Sequence, residues 1–467
     1  MQNQNQYWRR VELAGAGSFA TAVSFGVRCA LLGVMAFAQS LPAQDRQAPT
    51  RSHPLDSLIA LAQASNPEIV AAAARVAVAH ATIGPAGARP DPTLMAGVLN
   101  FPFGKPGFSD DFTMNVVRLT QSFPFPGKLS LATRAAKDEE AAAAAMLAQQ
   151  RLDVERDVRV AYYELAYLRR ARDIVQRNAQ LLEKLSRITE TQYTVGRGAQ
   201  ADVLRARVEV GRLATEAAAL AAAERGGRAR LNAALNRPPD TKVDDADIPP
   251  EIARLAVADS ASNIHFESAA LGAEVTDSPL LPTDSLVALA IGHSPVLLAH
   301  EARIHAQENR VELARRAHRP DFDLSLEYDE RPHFRDYVSF FVSVPLRLQR
   351  RRKQDQEVAG VGAELSSLQA QHVADINAVA QEIVTNVADV ERERTELALS
   401  IKAVLPQARA TFASATASYQ VGRVDFTSVI DAQAAVFNYE TAYWRSLANF
   451  ASAIARLQRN VGAEVLR

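Results

Sequence analysis

The chain has one cysteine in 467 residues, Cys29, which excludes an internal disulfide and a thiolate metal cluster. Aromatic residues are scarce, at 6%, and the formal net charge is −1. No basic footprint therefore points to nucleic acid. No nucleophile elbow, phosphate loop or metalloprotease motif occurs. The nine histidines are scattered singly. His300 and His305 miss the three- or four-residue spacing that sets two ligands on one helical face. The chain reads as a non-enzyme with no cofactor and no metal site. Beyond the N-terminal segment there is no apolar run of the about 20 residues a spanning helix needs. The remainder is thus soluble or enters a membrane as a β-barrel.

What is present begins with a targeting segment. Arg9, Arg10 and Arg28 supply positive charge, and a short apolar run extends from Ala30 to Ala38. Ala36-Phe37-Ala38 closes it with a small-x-small cleavage pattern. Residues 1–38 read as a secretory signal cleaved near Ala38, or at Ala43, followed by a linker over 39–54. Cys29 opens the apolar run after Val27-Arg28 instead of closing it after small residues, so no lipid attachment is expected.

The rest is written twice. Asp56-Ser57-Leu58-Ile59-Ala60-Leu61-Ala62 recurs as Asp284-Ser285-Leu286-Val287-Ala288-Leu289-Ala290, Pro67 as Pro295, and Arg75 as Arg303. Arg89-Pro90-Asp91 recurs as Arg319-Pro320-Asp321, Val195-Gly196-Arg197 as Val421-Gly422-Arg423, and Ala229-Arg230-Leu231 as Ala455-Arg456-Leu457. Repeat 1 covers 55–236 and repeat 2 covers 284–462. A Pro- and Asp-containing stretch, 237–283, separates them as an irregular collar, and 463–467 form a tail.

Each repeat predicts the same elements. A first helix (about 55–88 and 284–318) stops at the Arg-Pro-Asp turn. Two strands follow, Thr93–Phe101 and Phe112–Phe123 in repeat 1, Phe322–Tyr328 and Tyr337–Leu346 in repeat 2. A very long helix (about 128–192 and 349–418) leads to a Val-Gly-Arg turn and a last helix (about 199–235 and 425–461). The long helices carry a heptad seam. It runs Val154, Val158, Ala161, Leu165, Leu168, Arg172, Val175, Ala179, Leu182 in one copy. In the other it runs Ile376, Ala380, Ile383, Val387, Val390, Arg394, Leu397, Ile401, Val404. The interrupting arginine falls on the same rung in both. Between seam and turn the second copy is longer by a stutter, with Pro406 placed to kink the helix there. A helix of about 65–70 residues is roughly 100 Å long. The strands approach the about 9–11 residues that cross a bilayer. Four strands close no barrel, since closed barrels start at about eight, so several chains must share one.

This order of elements resembles that of the TolC-like outer-membrane efflux proteins. Asn66-Pro67, Phe123-Pro124-Phe125-Pro126-Gly127-Lys128 and the Tyr-x-Val-Gly-Arg turns carry the resemblance. It implies a mostly α fold with a small β part: a periplasmic α-barrel of long coiled-coil helices, and four transmembrane strands per chain. In a homotrimer these strands build a shared 12-stranded β-barrel. It implies as partners a periplasmic adaptor (membrane fusion) protein, an inner-membrane RND pump and outer-membrane lipid. The function implied is a passive outer-membrane channel. The Phe-Pro-Phe-Pro-Gly-Lys text looks like the branch that works with heavy-metal pumps; repeat 2 has Val344-Pro345-Leu346 instead. A multidrug or type I secretion outlet in the same fold, and a secreted structural coiled coil, are the other readings.

Several residues stand out as candidates. Val195, Gly196, Arg197, Val421, Gly422 and Arg423 would contact the adaptor at the tip. Asp425, Asp431 and Asp202 are candidates for a pore gate, since any of them facing a symmetry axis becomes a ring of carboxylates. Arg347, Arg350, Arg351, Arg352, Lys353 and Lys128 read as a solvated basic helix start below the membrane edge. Phe101, Phe103, Phe123, Phe125, Tyr328 and Tyr337 flank strand ends, where aromatic side chains anchor at an interface.

Overall fold

The computed structural model describes residues 54–104, 110, 112–243, 246–257, 280–332, 334–463 and 465–466. The signal segment, Cys29, most of the linker and the middle of the collar lie outside these residues. The described chain runs α1 (Pro54–Ser65), α2 (Pro67–Gly87), β1 (Thr93–Leu99), β2 (Met114–Phe123), α3 (Lys128–Thr194) and α4 (Gln200–Ala234). After α5 (Pro250–Val257) come α6 (Thr283–His293), α7 (Pro295–Arg316), β3 (Phe322–Glu330) and β4 (Tyr337–Ser343). The chain ends with α8 (Gln354–Leu399), a π-helical turn (Ser400–Val404), α9 (Leu405–Gln420) and α10 (Phe426–Val461).

The first helix of each repeat, read from the sequence as continuous, is broken at its proline. Pro67 and Pro295 each open a new helix, where the missing N–H costs nothing. Asn66 caps α2 by accepting from the Glu68 N–H at 2.8 Å, and its amide donates to the Ala234 carbonyl at 2.9 Å. The Asn-Pro pair thus ties the break to the last turn of α4. The corresponding break at Ser294 bends α6 against α7 by 43°.

The second long helix starts at Gln354, later than expected, because Leu348–Lys353 form turns. Its extra length is taken up where Pro406 sits. The π turn at Ser400–Val404 widens the helix just before proline enters the first turn of α9. A wide turn relieves the clash between a proline ring and the carbonyl four residues back.

The seam does what its spacing demands. Val154, Val158, Ala161, Leu165 and Leu168 of α3 are buried in one core with Ile383, Val387 and Val390 of α8 and Leu447, Phe450, Ile454 and Leu457 of α10. Val175 and Leu182 fall in a second core with Ala206 and Leu213 of α4 and Phe426, Val429, Ile430 and Phe437 of α10. Arg172 lies between the two and pairs with Glu224 of α4 at 2.7 Å. Its counterpart Arg394 is itself buried. The two repeats therefore share one interior, and α3 packs against α2, α4, α7 and α10. Cross-repeat ion pairs run along α3: Glu139–Arg310 at 2.7 Å, Asp153–Arg459 at 2.6 Å, Glu164–Arg445 at 2.6 Å and Arg177–Glu440 at 3.0 Å.

The four strands form one antiparallel sheet in the order β1-β2-β3-β4. Below it, the Phe-Pro-Phe-Pro-Gly-Lys segment meets the Arg-Pro-Asp turn of the other repeat. Asp321 accepts from the Phe125 N–H at 2.6 Å and from Lys128 Nζ at 2.7 Å. Lys128 also donates to the Arg319 carbonyl at 3.0 Å, and the Arg319 guanidinium lies 4.9 Å from the Phe125 ring centre. Lys128 is thus a half-buried clasp between repeats, not the solvated charge its sequence context suggested. Gly127 is required by its backbone conformation. Its φ is +88°, and a side chain there would run into the Arg316 guanidinium.

Gly127→Ala is expected to lower stability by about 1–3 kcal/mol from backbone strain. Gly360→Ala, at an open position inside α8, is expected to raise stability by about 0.5–1 kcal/mol. Denaturation followed by circular dichroism in detergent checks both. Partial burial favours the neutral form of Asp321, but the bonds from Lys128 and the Phe125 N–H, with the charges of Lys128 and Arg347, outweigh it. Its pKa is held below the usual carboxylate range. The clasp then stabilises the fold above the unfolded carboxylate pKa of about 3.9 and is lost as pH falls through the depressed value. Asp321→Asn should melt below wild type at neutral pH, and the two curves should converge in acid.

Candidate conduit and tip site

The register places chemically different residues on the two faces of the sheet. Leu94, Leu119, Leu326 and Phe340 are successive cross-strand partners, as are Ala96, Val117, Tyr328 and Val338. Two residues along on the same side, Gln121, Leu324 and Val342 form the next row. This face is apolar from β1 to β4 in its middle rows, with Gln121 and the Asn115–Glu330 pair at its two ends, and most of its large side chains are exposed. Phe123 stacks on Phe322 at 5.3 Å at its helix-proximal end. The opposite face carries Arg118, Thr120, Asp323, Ser325, Glu327, Asp329 and Ser339. Thr120 and Ser325 hydrogen-bond at 2.9 Å, and Arg118 is bonded to Glu327. Alternation with one apolar and one polar face is the pattern of a barrel strand between lipid and water. The outer edges of β1 and β4 are unpaired within the chain.

α2 shows a related surplus of apolar surface. By length and composition it could cross a membrane, yet little of its apolar window is buried, contrary to the sequence expectation of no such segment. Alanine and valine give it that composition, while His80 pairs with Glu140 of α3 at 2.7 Å.

At the end of α3 distal to the sheet, both Val-Gly-Arg turns close with the same hydrogen bonds. Gly196 N–H donates to the Tyr193 carbonyl at 3.0 Å, and Arg197 N–H to Gln192 at 2.8 Å. Gly422 N–H donates to Tyr419 at 3.0 Å, and Arg423 N–H to Ser418 at 2.9 Å. These are Schellman caps, and φ near +75° at Gly196 and +74° at Gly422 explains both glycines. The caps give no role to the side chains on either side. Val195, Arg197, Val421 and Arg423 all project into solvent.

The structure brings the two turns to one place. Arg205 of α4 is hydrogen-bonded to Thr427 of α10, and the Tyr419 ring packs on Phe426 at 5.3 Å. Burial raises the Tyr419 pKa, and the Asp202 charge beside it raises it further. Asp202 is half-buried in the first turn of α4. Asp425 is exposed at the N-cap of α10 without making a side-chain capping bond, and Asp431 is exposed one turn further on. Sequence reasoning missed the Arg205–Thr427 bridge and the Arg118–Glu327 pair. No spacing rule signals the first. The second was within reach through the alternation Leu324-Ser325-Leu326-Glu327-Tyr328-Asp329. Among the described residues no cluster of three or more His, Cys, Asp or Glu could hold a metal ion.

Residues 58–237 match the family described as outer membrane efflux protein. A search of curated proteins finds no match. Among solved structures, the outer-membrane channel OprN aligns with a TM-score of 0.72 and 18% identity, covering 88% of this chain and 90% of that one. The outer membrane protein VceC of Vibrio cholerae aligns at 0.71 and 20%, over 88% and 96%. CusC, whose structures describe conformational changes accompanying folding and transmembrane channel formation, aligns at 0.72 and 14%, over 88% and 92%. At these identities the likeness is one of fold, and it spans both repeats. The chain thus carries an outer membrane efflux protein sequence across its first repeat, and the described residues of both repeats share the fold of these outer-membrane channels.

Proposed function

We propose that the protein is the outer-membrane channel of a tripartite export system, a passive duct that conducts solutes handed over by an adaptor and an inner-membrane pump. The observation that carries this reading is the sheet: a continuous apolar face, a polar face and two unpaired edges. In hydrocarbon every backbone N–H and C=O must be paired. Four strands leave two rows unpaired, so further copies of the chain must complete a closed barrel. A homotrimer with twelve strands meets that need, and the apolar surface of α2 is then covered by a neighbouring copy. The helices below extend into the periplasm as a tunnel, and the signal segment directs the chain there.

The exposed side chains of Val195, Arg197, Val421 and Arg423 form the adaptor's docking site in this reading, since capping does not account for them. Asp202, Asp425 and Asp431 supply negative charge around the entrance, with the Arg205–Thr427 bridge holding the tip helices together. The Phe-Pro-Phe-Pro-Gly-Lys segment favours heavy-metal cations as cargo, delivered by an RND pump. Energy comes from the partners, because this chain has no nucleotide-binding or proton-relay motif.

Charge reversal at both Arg197 and Arg423 is expected to reduce export while leaving heat-modifiable oligomers in the outer-membrane fraction. Undiminished export by that double variant would count against the docking assignment. Arg205→Ala is expected to raise single-channel conductance in planar bilayers, and unaltered conductance would remove the bridge as a restraint. A deletion strain should become sensitive to zinc, cobalt, cadmium, copper or silver. Sensitivity to dyes alone would reassign the cargo to organic solutes, and loss of a secreted protein would make this a secretion outlet.

A further inference from the structure

We propose that Glu327, held by Arg118, and Asp329 beside it form a charge filter inside the β-barrel that makes this segment of the conduit prefer cations. The inference rests on the channel reading above and adds a selectivity element remote from the tip.

The register sets the geometry. Met95, Arg118, Glu327 and Ser339 are successive partners across the four strands, and Gly97, Val116, Asp329 and Tyr337 form another such row two residues along. Both rows lie on the polar face, opposite the apolar rows, so in a closed barrel they line the lumen. Arg118 reaches Glu327 through both Nε and Nη2 and lies 5.4 Å from the Phe341 ring centre. Asp329 lies beside this pair, near the Arg118 charge and hydrogen-bonded to Ser339. It is 5% exposed, as is Glu327, and its Oδ1 has no hydrogen-bond partner.

Structural need does not explain the extra carboxylate. A paired arginine and glutamate already satisfy each other, and a second buried acid beside them costs stability. A serine or threonine, as at Ser325 and Thr120 on the same face, would be cheaper. The rest of the face adds to the imbalance. Asp323 is also there, and among the strand residues Arg118 is the only cation. Among the strand residues each chain thus sets three carboxylates against one guanidinium on this face, with the Arg331 guanidinium just past β3 lying 4.1 Å from the Tyr337 ring centre, and each further copy repeats the set at the same height. Charge of one sign along a low-dielectric wall focuses the field and concentrates counter-ions. Rings of carboxylates select cations. Gly97 leaves the β1 side of the row open, with no atom within 4 Å of where its side chain would start.

The test is the reversal potential of the full-length protein in planar bilayers under a potassium chloride gradient. Wild type should favour potassium over chloride. Glu327→Gln with Asp329→Asn should lower the permeability ratio by roughly twofold or more, and Arg118→Gln should raise it. Because changes at a buried pair can prevent assembly, a conservative variant provides a second arm. Ser339→Cys, made with Cys29→Ser, puts a thiol directly across from Glu327. A cationic thiol reagent should lower the ratio there, and an anionic one should raise it. Conducting channels whose ratio stays at the wild-type value in both arms would overturn the filter while leaving the channel intact. Absence of any conductance from wild type would overturn the channel reading, and the filter with it.

Discussion

An antiparallel sheet with two free edges and an apolar face has no stable place as a lone unit. In water it exposes Leu94, Leu119, Leu326 and Phe340 together. In lipid it would leave the outer N–H and C=O groups of β1 and β4 without partners, each costing several kcal/mol. Both difficulties vanish only when edges meet edges and the apolar face turns outward. The rest of the architecture follows from that requirement. The duplication supplies one hairpin per repeat, and the sheet joins them through β2 and β3. The long helices then leave the sheet in the same direction.

Joining the hairpins commits the two repeats to each other, and the helical region is built accordingly. α3 belongs to repeat 1 but shares its core with α8 and α10 of repeat 2. Ion pairs cross between repeats at intervals along its length. At the sheet end the link is polar and specific: Asp321 of one repeat holds Phe125 and Lys128 of the other. A segment that in sequence resembles a branch marker is, in the fold, the joint between strand and helix. Its glycine turns the chain, its phenylalanine lies beside Arg319, and its lysine closes the clasp. This joint ties β2 and β3 to the helices that adjoin them.

At the opposite end the same economy leaves side chains free. The caps at Gly196 and Gly422 satisfy the helix ends with backbone bonds alone. The valine and arginine beside each glycine are therefore available to a partner, and a polar bridge joins the neighbouring helices. Negative charge is thus placed at two levels of the chain: acids around the tip turns, and the acid-rich face of the sheet.

Periodicity and repetition, both one-dimensional properties, were enough to determine much of this. The doubled text set the element order, and the seam from Val154 to Leu182 showed which residues of α3 are buried. The two strands read in each repeat are the four strands of the sheet. The breaks at Asn66 and Ser294 were not legible, because a proline tolerated at a helix start and one that bends a helix look alike until the neighbouring turn is known. The role of Lys128 was misread for a similar reason: its partner Asp321 lies 193 residues away. Tertiary structure alone decided which carboxylates meet which guanidinium. Arg118 and Glu327 become partners only through strand register, and register is fixed by hydrogen bonds between segments that the sequence does not place side by side.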